Sequence, residues 1–421
     1  MKKNTPESVV NPEENIIRFP LDEIVRRGAK KMLGQALEIE IESFVERHQY
    51  ILDDQGRRLV VRNGYCPERK IVTGAGQLEV RTPRVDDRVL DEKNERRFTS
   101  NLVPRYLRRT KNIDELIPVL YLKGISTGDF TQALEKLLGK SVIGFSAEQI
   151  VRLKQVWQAE YETWAKRDLS GQKYVYFWVD GVHFNVRLED GRQCILVIIA
   201  AREDGTKELL AVEDGFRESK ESWLSLIRNL KRRGLVFHPK LAVGDGALGF
   251  WAAAEEEFPQ TRHQLCWVHK TANVLDKLPK MLQPRAKSMI HDIYMAPTKM
   301  DANVAFDVFI EEFDTKYPKA VASLRDNRED LMTFYDFPAE NWIHLRTTNP
   351  VESVFSTVRL RTRRTKGCGT RNATLTMVFT LALSAQARWK QLRGAARIAQ
   401  VLEGVRFQDG QEVKKSEAAV A

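Results

Sequence analysis

The order of apolar and polar positions divides the first half of the chain into helical and looser stretches. Residues 1–20 are polar, and we expect them to be disordered. Helical spacing covers residues 21–48, with apolar positions at Ile24, Met32, Leu33, Leu37, Ile41 and Phe44. Between 56 and 103 the pattern loosens, so short strands and an extended basic segment are both compatible with it.

Residues 104–170 become helical again, with predicted helices over 113–122, 129–138 and 147–165. Three short helices joined by glycine-containing turns are typical of a helix-turn-helix DNA-binding unit, although a plain helical bundle has the same pattern. The arginines that flank these helices and favour the DNA-binding interpretation are Arg105, Arg108 and Arg109.

From Tyr174 onward, the sequence is rich in residue types that favour β-strands. Three runs rich in β-branched and aromatic residues cover 174–180, 182–188 and 193–201. Turn sequences at Asp180-Gly181 and at 189–191 separate them, which predicts antiparallel hairpins.

Alternating helices and strands continue this region. We predict a helix over 219–232, a strand over 240–243, a helix over 248–257 and a strand over 262–267. Residues 270–340 are helical, and a last helix begins near Pro350. The order β-β-β-α-β-α-β predicts an α/β fold: a mixed sheet with flanking helices, interrupted by an all-helical insertion.

Composition narrows the class of protein. The chain has 421 residues, 43% hydrophobic and 29% charged, which indicates two or three folded units. It contains no apolar run near the roughly 20 residues of a membrane span, and its start lacks a secretory signal. Four scattered cysteines argue against a disulfide framework, so we expect a cytoplasmic protein. An excess of 67 Lys and Arg over 57 Asp and Glu suggests a polyanionic partner.

Three acidic residues carry the candidate chemistry. Asp180 and Asp245 each end a predicted strand before a glycine, and Glu352 lies in the first turn of the late helix. Each alone is more often a turn residue or a partner of the helix dipole. Together they follow the order found in ribonuclease-H-like nucleases and recombinases. Converging carboxylates suit Mg²⁺ or Mn²⁺, and two such ions roughly 4 Å apart can activate the attacking oxygen and stabilise the leaving oxygen of a phosphodiester.

Further residues have two interpretations each. A run without acidic residues follows Glu352 and suits a phosphate track; its DNA-contact candidates are Arg359, Arg361, Arg363, Arg364 and Lys366. Trp342 is either a core residue or a platform for a distorted base. Cys266 and His269 have the spacing of half a zinc site, but the sequence offers no clear second pair.

Several motifs of the chain resemble those of the Mutator-type transposases of bacterial insertion sequences. The matching stretches are NGY at 63–65, YLKGIST at 121–127, VDGVHFNVR at 179–187, GDGALGFW at 244–251, CWVHK at 266–270 and TTNPVESVFSTVRLRTRRTKG at 347–367. The resemblance implies a ribonuclease-H-like catalytic domain with an Asp-Asp-Glu triad at Asp180, Asp245 and Glu352. It also implies a structural or DNA-positioning role for Cys266 and His269.

What the resemblance implies for function is a DNA transposase. Such an enzyme binds the terminal inverted repeats of its element, cleaves DNA with metal, and joins the freed 3′-OH to target DNA. Double-stranded DNA and a homodimer or larger assembly are the expected partners, without a membrane. The alternatives are a ribonuclease-H-like nuclease that only hydrolyses, and a domesticated DNA-binding regulator.

The expected organisation has seven parts. They are a disordered start (1–20), a helical and extended basic region (21–103), the helix-turn-helix-like region (104–170), the first part of the catalytic domain (171–269), the helical insertion (270–345), the last part of the catalytic domain with basic helices (346–405), and a tail (406–421).

Overall fold

The computed structural model describes residues 21–92, 97–122, 147–185, 192–215, 217–246, 249–365 and 370–413. The chain forms two compact units, Met1–Ile150 and Val151–Ala421. Within the described residues, we find no helix whose length and apolar character would let it cross a bilayer.

The first unit packs one long helix against short strands. Helix α1 (Leu21–Arg47) buries Leu37, Ile41 and Phe44. The strands are β1 (Val61–Tyr65), β2 (Arg69–Thr73), β3 (Gly76–Val80) and β4 (Pro83–Asp86). Strand β1 pairs with β4, and β2 with β3, both antiparallel. The loose pattern between 56 and 103 is therefore resolved into short strands.

Helix α1 confirms the predicted helix over 21–48 but not a single apolar face. Ile24 and Met32 are 53% and 71% exposed, whereas Leu37 and Ile41 are each 2% exposed. At about 100° per residue, Met32 lies on the side of the helix opposite Ile41. The apolar residues of α1 therefore form two separate faces.

Two more helices of the first unit are described, α2 (Val89–Glu92) and α3 (Lys111–Leu122); the next helix, α4 (Ala147–Ala165), begins at the unit boundary and lies mostly in the second unit. Helices α3 and α4 confirm the first and third of the helices expected between 104 and 170. The second, over 129–138, lies outside the described residues, so the helix-turn-helix arrangement stays a prediction.

The second unit contains a mixed five-stranded sheet in the order β7-β6-β5-β8-β9. Its strands are β5 (Tyr174–Asn185), β6 (Arg192–Arg202), β7 (Lys207–Gly215), β8 (Leu241–Gly244) and β9 (Arg262–Leu265). The first three are antiparallel, and β8 is parallel to both β5 and β9. This architecture confirms the α/β class and the adjacency of the two strands that precede Asp180 and Asp245.

The predicted turn at Asp180-Gly181 is wrong. Strand β5 continues through both residues, which pair with Val197 and Leu196 of β6. The backbone hydrogen bonds of this long pairing outweigh the turn preference of the Asp-Gly sequence. The run at 174–180 and the described part of the run at 182–188 thus belong to one strand, β5, which is described as far as Asn185. The third antiparallel strand is β7, which the pattern did not predict.

Alternation along β5 assigns side chains to the two faces of the sheet. Phe177 and Val179 share a buried cluster with Trp223 of helix α5 (Lys220–Arg232) and Phe250 of helix α6 (Phe250–Glu257). On the other face, the Tyr176 hydroxyl donates to Asn341 Oδ1 at 2.9 Å, and the Trp178 indole donates to the His344 carbonyl at 2.8 Å. Asp180 follows in the same alternation, on the Trp178 side.

A helical insertion separates β9 from the last part of the sheet domain. Its helices are α7 (Trp267–Leu275), α8 (Gln283–Met295), α9 (Lys299–Phe313), α10 (Pro318–Arg325), α11 (Arg328–Met332) and α12 (Trp342–Leu345). The two ends of the insertion meet, because the Trp267 N–H donates to the Arg346 carbonyl at 2.9 Å. The remaining elements are α13 (Asn349–Thr365), α14 (Arg371–Gln386), α15 (Ile398–Leu402), β10 (Phe407–Gln408) and β11 (Gln411–Glu412).

Candidate active site

Parallel pairing places Asp180 and Asp245 beside each other. Strands β5 and β8 pair in register through Trp178 and Val243, and each aspartate lies two residues further along its strand direction. Ligands bind beyond the carboxyl ends of parallel strands in α/β sheets. The two carboxylates therefore reach the same edge of the parallel pair, as the sequence predicts.

Asp180 is buried, with 7% of its surface exposed. Burial raises its pKa to about 7; His269 opposes this shift, and the charges of Glu218 and Glu352 add to it. The Gly181 N–H donates to Asp180 Oδ1 at 2.8 Å. Acids from separate elements thus act on the charge of Asp180.

Glu352 approaches from helix α13. Val351 and Phe355 on this helix are fully buried, and the helix packs against β5 and β6. These contacts fix the first turn of α13 over the sheet. Glu352 Oε1 lies 3.3 Å from the Thr348 hydroxyl and 3.5 Å from His269 Nε2.

Cys266 connects the end of β9 to the start of α13. Its sulfur accepts a hydrogen bond from the Thr348 N–H at 3.3 Å, and the Thr348 hydroxyl lies at the same distance. Thr348 in turn contacts Glu352, so the thiol helps to hold the turn that presents this carboxylate. Three residues later, His269 extends from α7 to the same carboxylate.

His269 supplies a positive charge to the acidic cluster. The Cys266 side chain beside the ring raises the pKa of His269 to about 9, and the charges of Asp180 and Asp245 act in the same direction. An imidazolium among carboxylates offsets part of their mutual repulsion. The sequence analysis did not predict this charge-balancing role; it identified the spacing of Cys266 and His269 and, from the resemblance, a structural or DNA-positioning role.

Within the described residues, Cys266, His269 and Glu352 also form a group whose ligand atoms lie within 4.8 Å of one another. A thiol, an imidazole and a carboxylate suit a borderline metal such as Zn²⁺ better than Mg²⁺. The contacts of Thr348 with the thiol already engage one of the three groups. A second Cys or His pair does not join them in the part of the chain described.

Glu218 is an acidic neighbour that the sequence analysis missed. A methyl group added at Gly181 would lie 2.0 Å from Glu218 Oε1, so this carboxylate packs directly over the Asp180-Gly181 peptide. Burial raises the pKa of Glu218, and the charge of Asp245 adds to that effect. Its other oxygen lies 3.6 Å from His183 Nε2. The one sequence signal for this contact is Gly181, since a glycine lets another side chain approach the backbone closely.

Lys270 is a second residue that was missed. It is 7% exposed, and its ammonium donates to Asn327 Oδ1 at 3.0 Å. Burial lowers the pKa of Lys270, and the nearby charge of Asp245 opposes this shift. A buried cation therefore stands on the Asp245 side of the site.

The basic positions after Glu352 share its helix. Arg359 is exposed on α13, and the backbone of Arg361, Arg363 and Arg364 continues the same helix; Lys366 lies outside the described residues. The sequence that follows Glu352 lacks acidic residues, but an acid from another part of the chain pairs with one of its arginines. Arg371 forms two hydrogen bonds to Asp214, at 2.8 and 2.6 Å.

The predicted arginines of the first unit lie before α3. Arg105 and Arg108 are exposed, and Arg109 is half-buried. Their segment is fixed to β2, because the Val72 N–H donates to the Arg108 carbonyl and the Thr110 N–H donates to Val72, both at 2.9 Å.

Trp342 lies in an aromatic cluster of the insertion. It is 8% exposed, its indole N–H donates to the Phe337 carbonyl at 2.8 Å, and Phe334 and Tyr335 contact its ring edge-to-face. Stacking of Trp342 on a base stays a prediction, and it requires this cluster to open.

The second unit is an α/β domain in which Asp180 and Asp245 lie side by side at the end of a pair of parallel strands. The family model described as "Transposase, Mutator family" matches residues 2–392. The chain therefore belongs to the Mutator family of transposases, as the resemblance indicated.

Individual relatives agree with this assignment. A protein of Mycolicibacterium smegmatis named as the transposase for insertion sequence element IS6120 is 50% identical over 303 residues, which cover 72% of this chain and 93% of the relative. The transposase for element IST2 of Acidithiobacillus ferrooxidans is 46% identical over 286 residues, 66% of this chain and 94% of the relative. The transposase for IS256 in transposon Tn4001 of Staphylococcus aureus is 27% identical, covering 83% and 86%.

Proposed function

We propose that this chain is a DNA transposase of an insertion sequence, which binds the ends of its element, cleaves one strand at each end and transfers the freed 3′-OH to target DNA. The observation that carries the proposal is the parallel pairing of β5 and β8, which places Asp180 beside Asp245, and the charge of Glu352 on α13 acts on Asp180. Family membership and the names of the relatives give the class of reaction.

The fold proposed for the second unit is ribonuclease-H-like. Three antiparallel strands followed by two parallel strands, with helices on both faces, support this assignment. In this frame Asp180 lies on the first strand and Asp245 after the fourth, and the insertion precedes the helix that carries Glu352.

The donor set fits one or two Mg²⁺ or Mn²⁺ ions. Carboxylate oxygens are hard ligands; burial first, and then the charges of neighbouring acids, raise the pKa values of Asp180 and Glu218, and a bound cation would stabilise their charged forms. Asp180, Asp245 and Glu352 would hold the metal, and Glu218 stands close enough to join them. When bound, the metal supplies an activated oxygen nucleophile and stabilisation of the leaving oxygen.

The chain's own residues orient the DNA and balance charge. Arg359, Arg361, Arg363 and Arg364 continue the helix that carries Glu352 and would contact phosphates of the DNA. Lys270 and His269 place positive charge near the carboxylates, His269 near Asp180 and Asp245 and Lys270 near Asp245. In the first unit, Arg105, Arg108 and Arg109 would contact the double-stranded element end. Because two ends must be joined, we propose at least a dimer on DNA.

The test is incubation of purified protein with labelled element ends and Mg²⁺, scored for nicked and joined products. Asp180→Asn, Asp245→Asn and Glu352→Gln should each lower nicking at least about 10³-fold while end binding survives. Glu255→Gln, which changes an exposed acid on α6, is the matched control. Nicking by any of the three variants at the control's rate would remove that residue from the site.

The joined product separates the proposal from its nearest alternative. A nuclease that only hydrolyses would nick the ends but would not join a pre-cut 3′-OH to target DNA. A DNA-binding regulator would show neither product with the wild-type chain.

A further inference from the structure

Arg346 lies where the helical insertion rejoins the sheet domain, and no carboxylate among the described residues forms an ion pair with it. Its Nη1 donates to the sulfur of Met295 at 3.2 Å, and its Nε is buried without a hydrogen-bond partner. A thioether sulfur is only a weak acceptor. Burial lowers the pKa of Arg346. A half-buried charge of this kind costs free energy unless an anion joins it.

Aromatic rings hold the guanidinium of Arg346 in one orientation. Its central carbon lies 4.7 Å from the ring centre of Phe334 and 5.3 Å from that of Trp342. Both rings are fixed, since Phe334 is fully buried and the Trp342 indole donates to the Phe337 carbonyl. A cation over an aromatic face is stabilised but keeps its charge and its N–H donors. The guanidinium is therefore preorganised for an anion.

The position of Arg346 connects it to the acidic site. Its carbonyl accepts from the Trp267 N–H at 2.9 Å, and Thr348, two residues further on, contacts Glu352. A stretch of two residues spans at most about 7 Å. Met295, beside the guanidinium, is 51% exposed, so this end of the side chain lies at the surface. The guanidinium thus opens to solvent next to the segment that presents Glu352.

We propose that Arg346 binds a phosphate of the DNA strand next to the cleaved bond, with Phe334 and Trp342 holding its guanidinium in place. A guanidinium held in one plane presents parallel N–H donors that match two phosphate oxygens. The phosphate supplies both the negative charge and the acceptors that Arg346 lacks within the described residues. The inference rests on the proposed function, because it needs DNA at the acidic site. It adds a contact from the insertion to those proposed for helix α13.

The first experiment measures binding of labelled element ends across a salt series without divalent metal, so that no strand is cut. Arg346→Met should weaken binding about tenfold and reduce the salt slope by about one, because one phosphate contact is lost. Arg325→Met is the matched control, since Arg325 is an arginine of the insertion that Asp314 already neutralises at 2.6 Å. Arg346→Lys keeps the charge without the planar fork, so it should retain the slope and lose part of the affinity.

The second experiment locates the contact on the DNA. Element ends that stop short of the cleavage point should bind the wild type and Arg346→Met equally, because their DNA does not reach the acids. On longer ends, single phosphates are replaced in turn by neutral methylphosphonates. At one position next to the cleaved bond the wild type should lose affinity, whereas Arg346→Met should lose nothing further.

Thermal melting of the free protein separates a DNA contact from a structural role. Methionine keeps the packing against the rings and removes a half-buried charge, so Arg346→Met should melt at or above the wild-type temperature. A lower melting temperature with an unchanged salt slope would make Arg346 a structural residue. Equal effects of Arg346→Met and Arg325→Met on binding would also overturn this inference alone. A wild-type chain that binds no element end would overturn the proposed function as well.

Discussion

The two halves of the acidic site are held in place by different means. Asp180 and Asp245 are fixed by backbone pairing, since β5 and β8 are neighbours in parallel register. Glu352 depends on contacts between residues far apart in sequence, with Cys266 and Thr348 separated by 82 positions. The strand half of the site, Asp180 and Asp245, is therefore positioned by the sheet itself. The helix half, Glu352, is positioned by a small number of side-chain contacts, so single substitutions should displace it more easily.

The largest expected effect tests the strand half. Asp180→Asn should stabilise the metal-free protein at pH 8, by up to about 4 kcal/mol, and should have little effect at pH 4. The pKa of Asp180 is raised from 3.8 to about 7, so the folded chain holds a proton that the unfolded chain releases between these values. Stability of the wild type therefore falls as pH rises through this window.

Thermal melting from pH 4 to pH 8 measures this effect. Asparagine carries no charge at any of these pH values, so the gain should grow across the window and level off above pH 7. Added Mg²⁺ should stabilise the wild type at pH 8 more than the variant. A gain that is the same at every pH would show that the carboxylate is not the source of the instability.

The helix half gives the next largest effect. Cys266→Ala removes the sulfur that accepts from Thr348, so the turn carrying Glu352 should loosen and DNA nicking should fall about 10- to 100-fold. The matched change is Cys194→Ala, a buried cysteine of β6 outside this contact. It should lower the melting temperature with little change in the rate of the remaining folded enzyme. Equal losses of rate in both variants would argue against the positioning role of Cys266.

Gly181→Ala tests how closely Glu218 approaches the strand half. The new methyl group would collide with Glu218 Oε1, and the flexible carboxylate should move away at small cost in stability. We expect nicking to fall about tenfold, a barrier change of about 1.4 kcal/mol. Glu218→Gln is the companion variant, and the double variant should be no worse than the more severe single one. An additive loss would mean that Gly181 acts independently of Glu218.

The smallest effect is expected away from both halves. Thr370 caps α14, and its hydroxyl accepts from the Ala373 N–H at 3.2 Å. Thr370→Ala should cost about 1 kcal/mol in urea unfolding and leave nicking unchanged. Thr370→Ser keeps the hydroxyl and should retain most of the stability. Reduced nicking by folded Thr370→Ala would extend the site to α14.

The sequence predicts the strand half better than the helix half, for physical reasons. A parallel strand that is buried on both faces leaves an uninterrupted apolar run, here Leu241–Gly244, so the residue that follows it, Asp245, is visible in the pattern. The Asp180-Gly181 sequence misled, because pairing along β6 overrides a local turn preference. Strand β7 was missed because its ends, Lys207-Glu208 and Glu213-Asp214, are charged.

The pattern of apolar and polar positions cannot predict contacts between residues that are distant in sequence. Glu218 lies in the connection before α5, and Lys270 has its partner in the insertion. Neither position has a spacing that signals chemistry. Cys266 and His269 were visible as a pair, but their contacts to Thr348 and Glu352 depend on how the insertion closes.

The hydrogen bond between Trp267 and Arg346 has a consequence for how proteins of this design can vary. Since the chain leaves and re-enters the sheet domain at one point, insertion residues that touch neither the acidic site nor β5 can be gained or lost without moving the carboxylates. Lengthening a segment whose ends are already joined adds little entropic cost, roughly 0.6 kcal/mol per doubling. The number of residues from Asp245 to Glu352 is thus a property of the inserted module and is free to differ among proteins that share the same catalytic geometry.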